Sequence, residues 1–259
     1  MYGRLPVLEA LDDERVKVGQ VLLARNAKGQ AVEAIVAAAG RRGVALRRVA
    51  PEKVTRVSGN GRHDQGVVAD IVAPGMAELA GWSLPPGALA LLVLDRVTNP
   101  ANVGMIIRTA VAAGLAGVVL PRSGGPDVGP LVIKASAGVA HRATLLRCTT
   151  ALEAVDTLER AGVTTVGLRA TAAPSLFGAD LPVRVAFVLG NETDGVSPAV
   201  AERLATWRSI PLANGVESLN VASAAAVVAF DVARRQLEGP AEGQVGQGGD
   251  LEVGGTEVE

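Results

Sequence analysis

The chain has 259 residues, of which 49% are apolar, 20% charged and 2% aromatic, a balance that excludes a largely disordered chain and is typical of a soluble protein with one or two domains. No apolar run reaches the roughly 18 residues of a membrane-spanning helix, and the start lacks a signal-peptide pattern, so we expect a cytoplasmic protein. The net charge of −1 hides a basic N-terminal part, with 12 Lys and Arg against 8 Asp and Glu in residues 1–75, and an acidic end.

The first 75 residues alternate between apolar patterns of helical and strand period. These patterns predict helices over 5–11, 31–41 and 51–57, and strands over 18–24, 44–48 and 66–72. Such alternation is typical of a small α/β module. Pro and Gly in 73–75 and 81–87 indicate a connection, so we predict a first domain over 1–75 and a linker over 76–88.

A longer alternation of strands and helices begins at Leu89. It predicts strands over 89–95, 117–120, 144–147, 163–169, 185–189 and 207–212, and helices over 102–113, 128–137, 151–160, after Pro198 and over 219–237. Strands separated by helices favour a parallel sheet, so we predict a second α/β domain over 89–237. The remainder, 238–259, is acidic and rich in glycine, and we expect it to be a disordered tail.

Common nucleotide and metal motifs are missing from the sequence. Gly-x-Gly-x-x-Gly does not open a helix after the first strand of the large domain, and Gly-x-x-x-x-Gly-Lys-Ser/Thr does not occur. His63 and His141 fall in different domains without a carboxylate cluster, so we expect no metal site, and we interpret His141 as a surface or loop residue. Cys148 is the single cysteine, which excludes an internal disulfide, and we interpret it as a buried, inert thiol.

Polar residues and glycines follow the predicted strands in three separated segments, 95–110, 188–197 and 210–231. Because open α/β sheets bind ligands at the carboxyl ends of their strands, this pattern predicts one site built from three loops. Arg108 lies in an otherwise apolar helix, where a charge is costly unless it faces a ligand. Asn102 has two open interpretations, as a site residue or as the N-cap of that helix.

The second and third segments carry further candidates. Gly190 ends a buried strand and allows close approach of the backbone to a ligand, and Glu192 follows it. Ser218 and Asn220 stand at the start of a helix that is otherwise almost pure Ala and Val. For Ser218, too, a role as N-cap stays open.

Together, these segments resemble the three ordered motifs of the SpoU/TrmH-type RNA ribose methyltransferases of the SPOUT superfamily. The matching stretches are Asn99-Pro-Ala-Asn-Val-Gly-x3-Arg-Thr-Ala110, Leu189-Gly-Asn-Glu-x2-Gly195 and Ile210-Pro-x3-Gly-Val-Glu-Ser-Leu-Asn-Val221. In the first domain, Tyr2-Gly3 and His63-x-Gln-Gly-Val67 resemble the family's RNA substrate-binding domain. The chain departs from the family at Asn99, where an acidic residue is common, and over 136–141, a segment expected to face the substrate.

The resemblance implies an α/β fold whose parallel-sheet domain contains a deep trefoil knot, formed here by about 185–237 and preceded by a small α/β RNA-binding domain. It also implies a homodimer that uses S-adenosylmethionine. By the same resemblance, Gly190, Ile210 and Leu219 match cofactor-contacting positions, with Leu189, Leu212, Ser218 and Asn220 as supports.

The family's chemistry, carried onto this chain, gives each polar residue an expected role. Arg108 would hold the target phosphate and stabilise the developing alkoxide, Asn102 would fix the ribose, and Glu192 would steer Arg108 or the cofactor end. Ser218 and Asn220 complete the predicted catalytic set. Whether Arg108 also accepts the hydroxyl proton stays open.

A basic stretch between residues 25 and 62 has nine Lys and Arg against two Glu, which favours contacts with phosphates. The expected RNA contacts are Arg25, Arg41, Arg42, Arg62 and His63, and an ordinary solvated basic face is the open alternative. We therefore predict 2′-O-methylation of a ribose in structured RNA, with a guanosine of 23S ribosomal RNA as the expected target. The alternatives are a tRNA or antibiotic-resistance rRNA target, a non-catalytic RNA-binding assembly factor, and a small-molecule methyltransferase.

Overall fold

The computed structural model describes residues 1–238 apart from 15, 73 and 179, so the predicted tail lies almost wholly outside the described residues. The N-terminal unit has a three-stranded sheet of order β2-β1-β3, in which β1 pairs parallel with β2 and antiparallel with β3. Its elements are α1 (Arg4–Asp12), β1 (Val18–Ala24), α2 (Gln30–Arg41), β2 (Ala45–Val49), α3 (Pro51–Ser58) and β3 (Val67–Ile71). All six predicted elements of this unit are confirmed, with small shifts at their ends.

The second unit is a seven-stranded sheet of order β10-β8-β9-β5-β6-β7-β4, in which every pairing is parallel. Its strands are β4 (Ala77–Glu78), β5 (Leu89–Leu94), β6 (Gly117–Pro121), β7 (Leu145–Cys148), β8 (Thr164–Leu168), β9 (Arg184–Leu189) and β10 (Thr206–Arg208). Its helices are α4 (Pro100–Ala112), α5 (Pro130–Ala135), α6 (Ala151–Arg160), α7 (Pro198–Ala201) and α8 (Val221–Glu238). The predicted α/β class and parallel sheet are confirmed.

The order of the strands indicates where along the sheet a ligand would bind. From β5 the chain builds outward through β6 and β7, and it then returns to place β9 between β5 and β8. The direction of winding therefore changes between β5 and β9, and a crevice opens at such a point outside the carboxyl ends of the strands. The segments that follow β5, β9 and β10 are the three polar segments of the sequence.

Glycine sets the spacing of the helices beside this edge. Gly104 lies where α4 crosses α5, and a Cβ there would come within 2.5 Å of Ala135 Cβ and 2.6 Å of the Val132 carbonyl oxygen. Real Cβ atoms do not approach so closely, so the two helices pack in this position only with glycine at 104. This contact fixes the first turns of α4, which carry Asn102.

The segment predicted as a linker contains a short strand that the sequence did not reveal, beside the single helical turn that its breakers allow. Ala77–Glu78 forms the edge strand β4 beside β7, and Leu79–Gly81 forms a 3₁₀ helix in which Leu79 is buried. A two-residue strand is too short to produce a period-2 pattern, which is why the pattern did not reveal it. The predicted strand over 207–212 is likewise shorter, because β10 ends at Arg208.

Two single residues were also interpreted from the sequence. Cys148 is buried as predicted, and burial raises the pKa of its thiol to about 12. His141 was interpreted as a surface or loop residue, but it lies in a 3₁₀ helix with Nε2 buried, beside a small cavity that Glu9 and Asp13 of the N-terminal unit also line. Burial lowers the pKa of His141, and the charge of Asp13 opposes that shift.

Among the described residues, no helix is both long enough and apolar enough to cross a membrane.

Candidate active site

A cavity of about 360 Å³ lies at the carboxyl edge of the large sheet, outside β8 and β9. Its volume is within the range of roughly 300–1,000 Å³ that is common for small-molecule sites. Residues from the second and third polar segments line it, including all six that were predicted to bind the cofactor. These six are Leu189, Gly190, Ile210, Leu212, Ser218 and Leu219. The fold thus brings together residues that stand up to 30 positions apart in the chain.

The loop after β9 closes tightly on itself beside this cavity. Asn191 and Gly195 exchange backbone hydrogen bonds of 3.0 and 2.9 Å, and Gly195 has a φ of +68°. A Cβ at Gly190 would lie 2.1 Å from the carbonyl carbon of Gly195 and 2.2 Å from the Val196 nitrogen. Gly190 is therefore required by the loop's own backbone. Gly190 also lines the cavity, where it was predicted to lie beside a ligand.

The loop after β5 holds this closed loop in place. The buried Asp95 accepts a 2.6 Å hydrogen bond from the Ser197 backbone N–H through Oδ2. Asn191 Nδ2 donates to the Arg96 carbonyl at 3.0 Å, and Arg96 Nη2 donates to the Gly195 carbonyl at 3.3 Å. Sequence reasoning gave Asp95, Arg96 and Asn191 no individual role, although Asn191 stands in the second motif and Asp95 and Arg96 directly follow a strand.

A chain of side-chain hydrogen bonds joins one residue from each polar segment. Asn102 is 5% exposed, and its Nδ2 donates to Glu192 Oε1. Its Oδ1 accepts from Asn220 Nδ2 at 3.2 Å. Asn220 Oδ1 in turn accepts from the Ala222 backbone N–H at 2.9 Å, at the start of α8. Asn102, Glu192 and Asn220 therefore form one polar cluster, and Glu192 connects it to the cavity.

The structure decides between the interpretations left open for Asn102 and Ser218. Asn99 is the N-cap of α4, since its side chain accepts from the Ala101 N–H at 2.9 Å, and Asn102 lies inside the helix. Because α8 begins at Val221 and Asn220 accepts from its first turn, Ser218 is not the N-cap there. Ser218 is exposed on the wall of the cavity.

Arg108 does not join this cluster within one chain. It is exposed, and among the described residues it forms no hydrogen bond or ion pair. Arg108 lies six positions after Asn102 in the α-helix, which places it about 9 Å farther along the axis and about 120° away around it. The two side chains consequently leave α4 on different faces. Glu192, which was expected to steer Arg108 or the cofactor end, bonds to Asn102 within the chain and also lines the cavity.

The N-terminal unit places the expected RNA contacts in two groups. Arg25, Arg62 and His63 are exposed in loops. Near them, the two stretches that resemble the substrate-binding domain meet, because the Gly3 N–H donates to the Val67 carbonyl at 3.2 Å. Arg41 and Arg42 lie at the end of α2, and Arg41 pairs with the exposed Asp12 at 3.1 Å.

Arg42 has a structural role that the RNA interpretation missed. Its guanidinium is half-buried and donates to backbone carbonyls at the end of α1 and in the turn that follows. These carbonyls belong to Ala10, Leu11, Asp13, Glu14 and Val16. Since their positions precede Arg42 by 26 to 32 residues, sequence patterns did not reveal the contact.

We expect Arg42→Ala to lower the free energy of unfolding by about 2–4 kcal/mol, because several carbonyls lose their donor at once. Arg41→Ala is the matched control, and it should cost less than about 1 kcal/mol because it removes only an exposed ion pair. Urea unfolding of both variants measures the difference. A fully stable Arg42→Ala that binds RNA poorly would restore the original interpretation.

Comparison with known proteins identifies related chains. The SpoU rRNA Methylase family matches residues 90–230, and the RNA 2′-O ribose methyltransferase substrate binding family matches residues 1–76. The chain is 34% identical over 241 residues to the 23S rRNA (guanosine-2′-O-)-methyltransferase RlmB of Xanthomonas axonopodis pv. citri (strain 306), covering 92% of this chain and 96% of that protein. It is 31% identical to the putative TrmH family tRNA/rRNA methyltransferase YacO of Bacillus subtilis (strain 168), over 91% of this chain and 95% of that one.

Solved structures agree with the sequence comparison. An AdoMet-bound rRNA methyltransferase from Sinorhizobium meliloti superposes with a TM-score of 0.71 at 27% identity, covering 92% of this chain and 87% of that one. The SpoU methyltransferase AviRb from Streptomyces viridochromogenes shares the fold, with a TM-score of 0.77 at 24% identity and coverage of 93% and 91%. The family match spans more than half of the chain and includes the polar cluster and the cavity. The chain therefore belongs to the SpoU rRNA methylase family.

Proposed function

We propose that this protein transfers a methyl group from S-adenosylmethionine to a ribose 2′-hydroxyl of structured RNA, at a guanosine of 23S ribosomal RNA, in the cytoplasm. The observation that carries the proposal is a cavity lined by the second and third polar segments, together with a hydrogen-bonded cluster in which Asn102 of the first segment meets Glu192 and Asn220. The names of the RlmB relatives support the ribosomal target, and the AdoMet-bound Sinorhizobium meliloti structure supports the methyl donor.

The cavity has the chemistry that this donor requires. Leu189, Ile210 and Leu219 give it apolar walls suited to an adenosyl group, and charged residues line it as well. When bound, S-adenosylmethionine supplies an electrophilic methyl group. The predicted cofactor residues of this chain would hold it between the loops after β9 and β10.

The polar cluster is suited to positioning the ribose. Asn102 is held on both sides, by Glu192 and by Asn220, so its amide needs little reorganisation when substrate binds. Correct alignment of the attacking oxygen is worth roughly 7–11 kcal/mol of the barrier in well-oriented reactions. We therefore give Asn102 and its two partners the task of orienting the 2′-hydroxyl, with Ser218 beside the same cavity.

A second copy of the chain is part of this proposal. Arg108 points away from the cluster of its own chain and remains unpaired among the described residues, as a residue that serves a partner's site would. In a two-fold dimer, Arg108 of each chain would hold the RNA phosphate at the partner's cluster. A guanidinium stays protonated in proteins, so we assign it charge stabilisation.

The trefoil knot over about 185–237 also remains a proposal, supported by the placement of β9 between β5 and β8.

Asn102→Ala should reduce kcat/KM by about 100-fold or more, because it removes the central member of a preorganised hydrogen-bond chain. Affinity for S-adenosylmethionine should stay within a few fold. The matched control is Asn99→Ala on the same helix, which removes the N-cap, costs about 1 kcal/mol of stability and should retain most activity. Equal activity of the two variants in a steady-state assay would contradict the role of the cluster.

Arg25→Ala and Arg62→Ala should each weaken RNA binding. Each should also make the negative slope of log K against log salt shallower by about 1, since each removes one phosphate contact. Neither should change stability, because both side chains are exposed. Titration of labelled 23S rRNA fragments at several salt concentrations measures this effect. An unchanged salt slope would mean that this basic face is merely solvated.

The proposed function is tested by calorimetry with S-adenosylmethionine, followed by transfer of a tritiated methyl group to purified RNAs. We expect micromolar or tighter cofactor binding and transfer to 23S rRNA but not to bulk tRNA. Transfer to tRNA alone would contradict the ribosomal target. Cofactor binding without transfer to any RNA, including assembling ribosomal particles, would contradict the catalytic assignment.

A further inference from the structure

Arg169 stands at the rim of the cavity with a fixed backbone. It directly follows β8, its N–H donates to the Arg208 carbonyl at 3.0 Å, and its own carbonyl accepts from Ala172 at 3.0 Å. Its guanidinium carbon lies 4.1 Å from the centre of the Trp207 ring. Stacking on an aromatic face holds a guanidinium in one orientation and leaves its in-plane N–H groups free to bind an anion.

The ring beneath Arg169 is itself fixed. Trp207 is half-buried in β10 and packs against Gly167 of the neighbouring strand. A Cβ at Gly167 would come within 2.6 Å of two Trp207 ring carbons, so the ring occupies the space that a side chain would fill. The cation at the rim therefore rests on a rigid base formed by two adjacent strands.

Arg169 has no hydrogen bond or ion pair from its side chain to any residue that the structure describes, whereas Arg96 and Arg42 are engaged with carbonyl oxygens. Glu217 lines the same cavity from the segment before α8, is exposed, and is equally without a partner among the described residues. The rim thus offers one oriented cation and one carboxylate around a cavity with apolar walls. Their opposite charges complement a zwitterion.

We propose that Arg169 and Glu217 bind the amino-acid end of S-adenosylmethionine, with Arg169 pairing with the α-carboxylate and Glu217 with the α-ammonium. This inference rests on the proposed function. The planar fork of an arginine matches a carboxylate through two parallel hydrogen bonds, which gives orientation as well as affinity. With the charged end anchored by Arg169 and Glu217, Glu192, which lines the same cavity and bonds to Asn102, is left to face the methyl group.

Three related ligands test the assignment by calorimetry in the absence of RNA. They are S-adenosylmethionine, decarboxylated S-adenosylmethionine, which keeps the ammonium, and 5′-methylthioadenosine, which lacks both charged groups. Arg169→Met preserves contact with Trp207 but removes the donors, and it should weaken S-adenosylmethionine about tenfold while the other two ligands stay within about twofold. Glu217→Gln should weaken both ligands that carry the ammonium and leave 5′-methylthioadenosine unchanged. Arg169→Lys should restore part of the lost affinity.

Each alternative result has a distinct meaning. Equal weakening of all three ligands by Arg169→Met would make Arg169 a structural residue and overturn the proposal. Unchanged S-adenosylmethionine affinity with a raised KM for RNA would assign Arg169 to an RNA phosphate, which also overturns it. A wild-type protein that binds none of the three ligands would contradict the proposed function itself. Far-UV circular dichroism and the unfolding midpoint check that each variant keeps the fold.

Discussion

Arg108→Ala is expected to reduce methyl transfer by about 100-fold or more while leaving affinity for S-adenosylmethionine within a few fold. The reason is the position of Arg108, which is exposed on α4 and does not line the cavity that would hold the cofactor. Single-turnover transfer and calorimetry on the same preparation separate the two effects. Arg160→Ala is a suitable control, because Arg160 is exposed on α6 and its described hydrogen bond stays within that helix. Equal loss of transfer and cofactor affinity would contradict the assigned role.

Mixed dimers test whether the partner supplies Arg108. Arg108→Ala and Asn102→Ala chains are each expected to be inactive, but a dimer of the two would contain one site with both residues intact. Unfolding and refolding an equal mixture should therefore restore about a quarter of wild-type activity, since half of the dimers are mixed and each has one complete site. Recovery no greater than that of the parental variants would place Arg108 in the site of its own chain.

Gly190→Ala is expected to abolish cofactor binding and to cost more than about 3 kcal/mol of stability, because the new methyl group would overlap the backbone of Gly195 and Val196. These backbone atoms of Gly195 and Val196 belong to a loop that is closed by its own hydrogen bonds and tied to Asp95 and Arg96, so the loop has little freedom to move away. Gly81→Ala is the matched control, since nothing lies within 4 Å of a Cβ at that position. Urea unfolding and calorimetry measure both effects. A Gly190→Ala protein with normal stability and normal cofactor affinity would contradict this description of the loop.

The convergence of the three segments was predictable from the sequence because of strand direction. Parallel strands end at the same edge of a sheet, so polar residues that follow β5, β9 and β10 lie along one edge, and the pairing of β5 with β9 brings the first two segments together. The apolar runs of β5 and β9 and the helical spacing of Val32 and Ile35 in α2 were strong enough to fix those elements. For the same reason, the six predicted cofactor residues line one cavity.

The details that escaped prediction depend on contacts between distant parts of the chain. The five carbonyls bound by Arg42, the backbone that fills the space beside Gly190 and the ring under Arg169 are set by tertiary packing, which leaves no periodic signal. The position of Arg108 was different, because helical geometry alone already places its side chain about 120° around the helix from that of Asn102. The family pattern assigns Asn102 and Arg108 to one site. It therefore does not show that the two side chains leave the helix on different faces within a single chain.

The most direct measurement of the central claim is a nucleotide-resolution map of ribose 2′-O-methylation on 23S rRNA from cells with and without the gene. We predict that one guanosine loses its 2′-O-methyl group when the gene is deleted, regains it with the wild-type gene, and stays unmethylated with the Asn102→Ala variant. An identical ribose methylation map in all these strains, or a change confined to methyl groups on bases, would contradict the account.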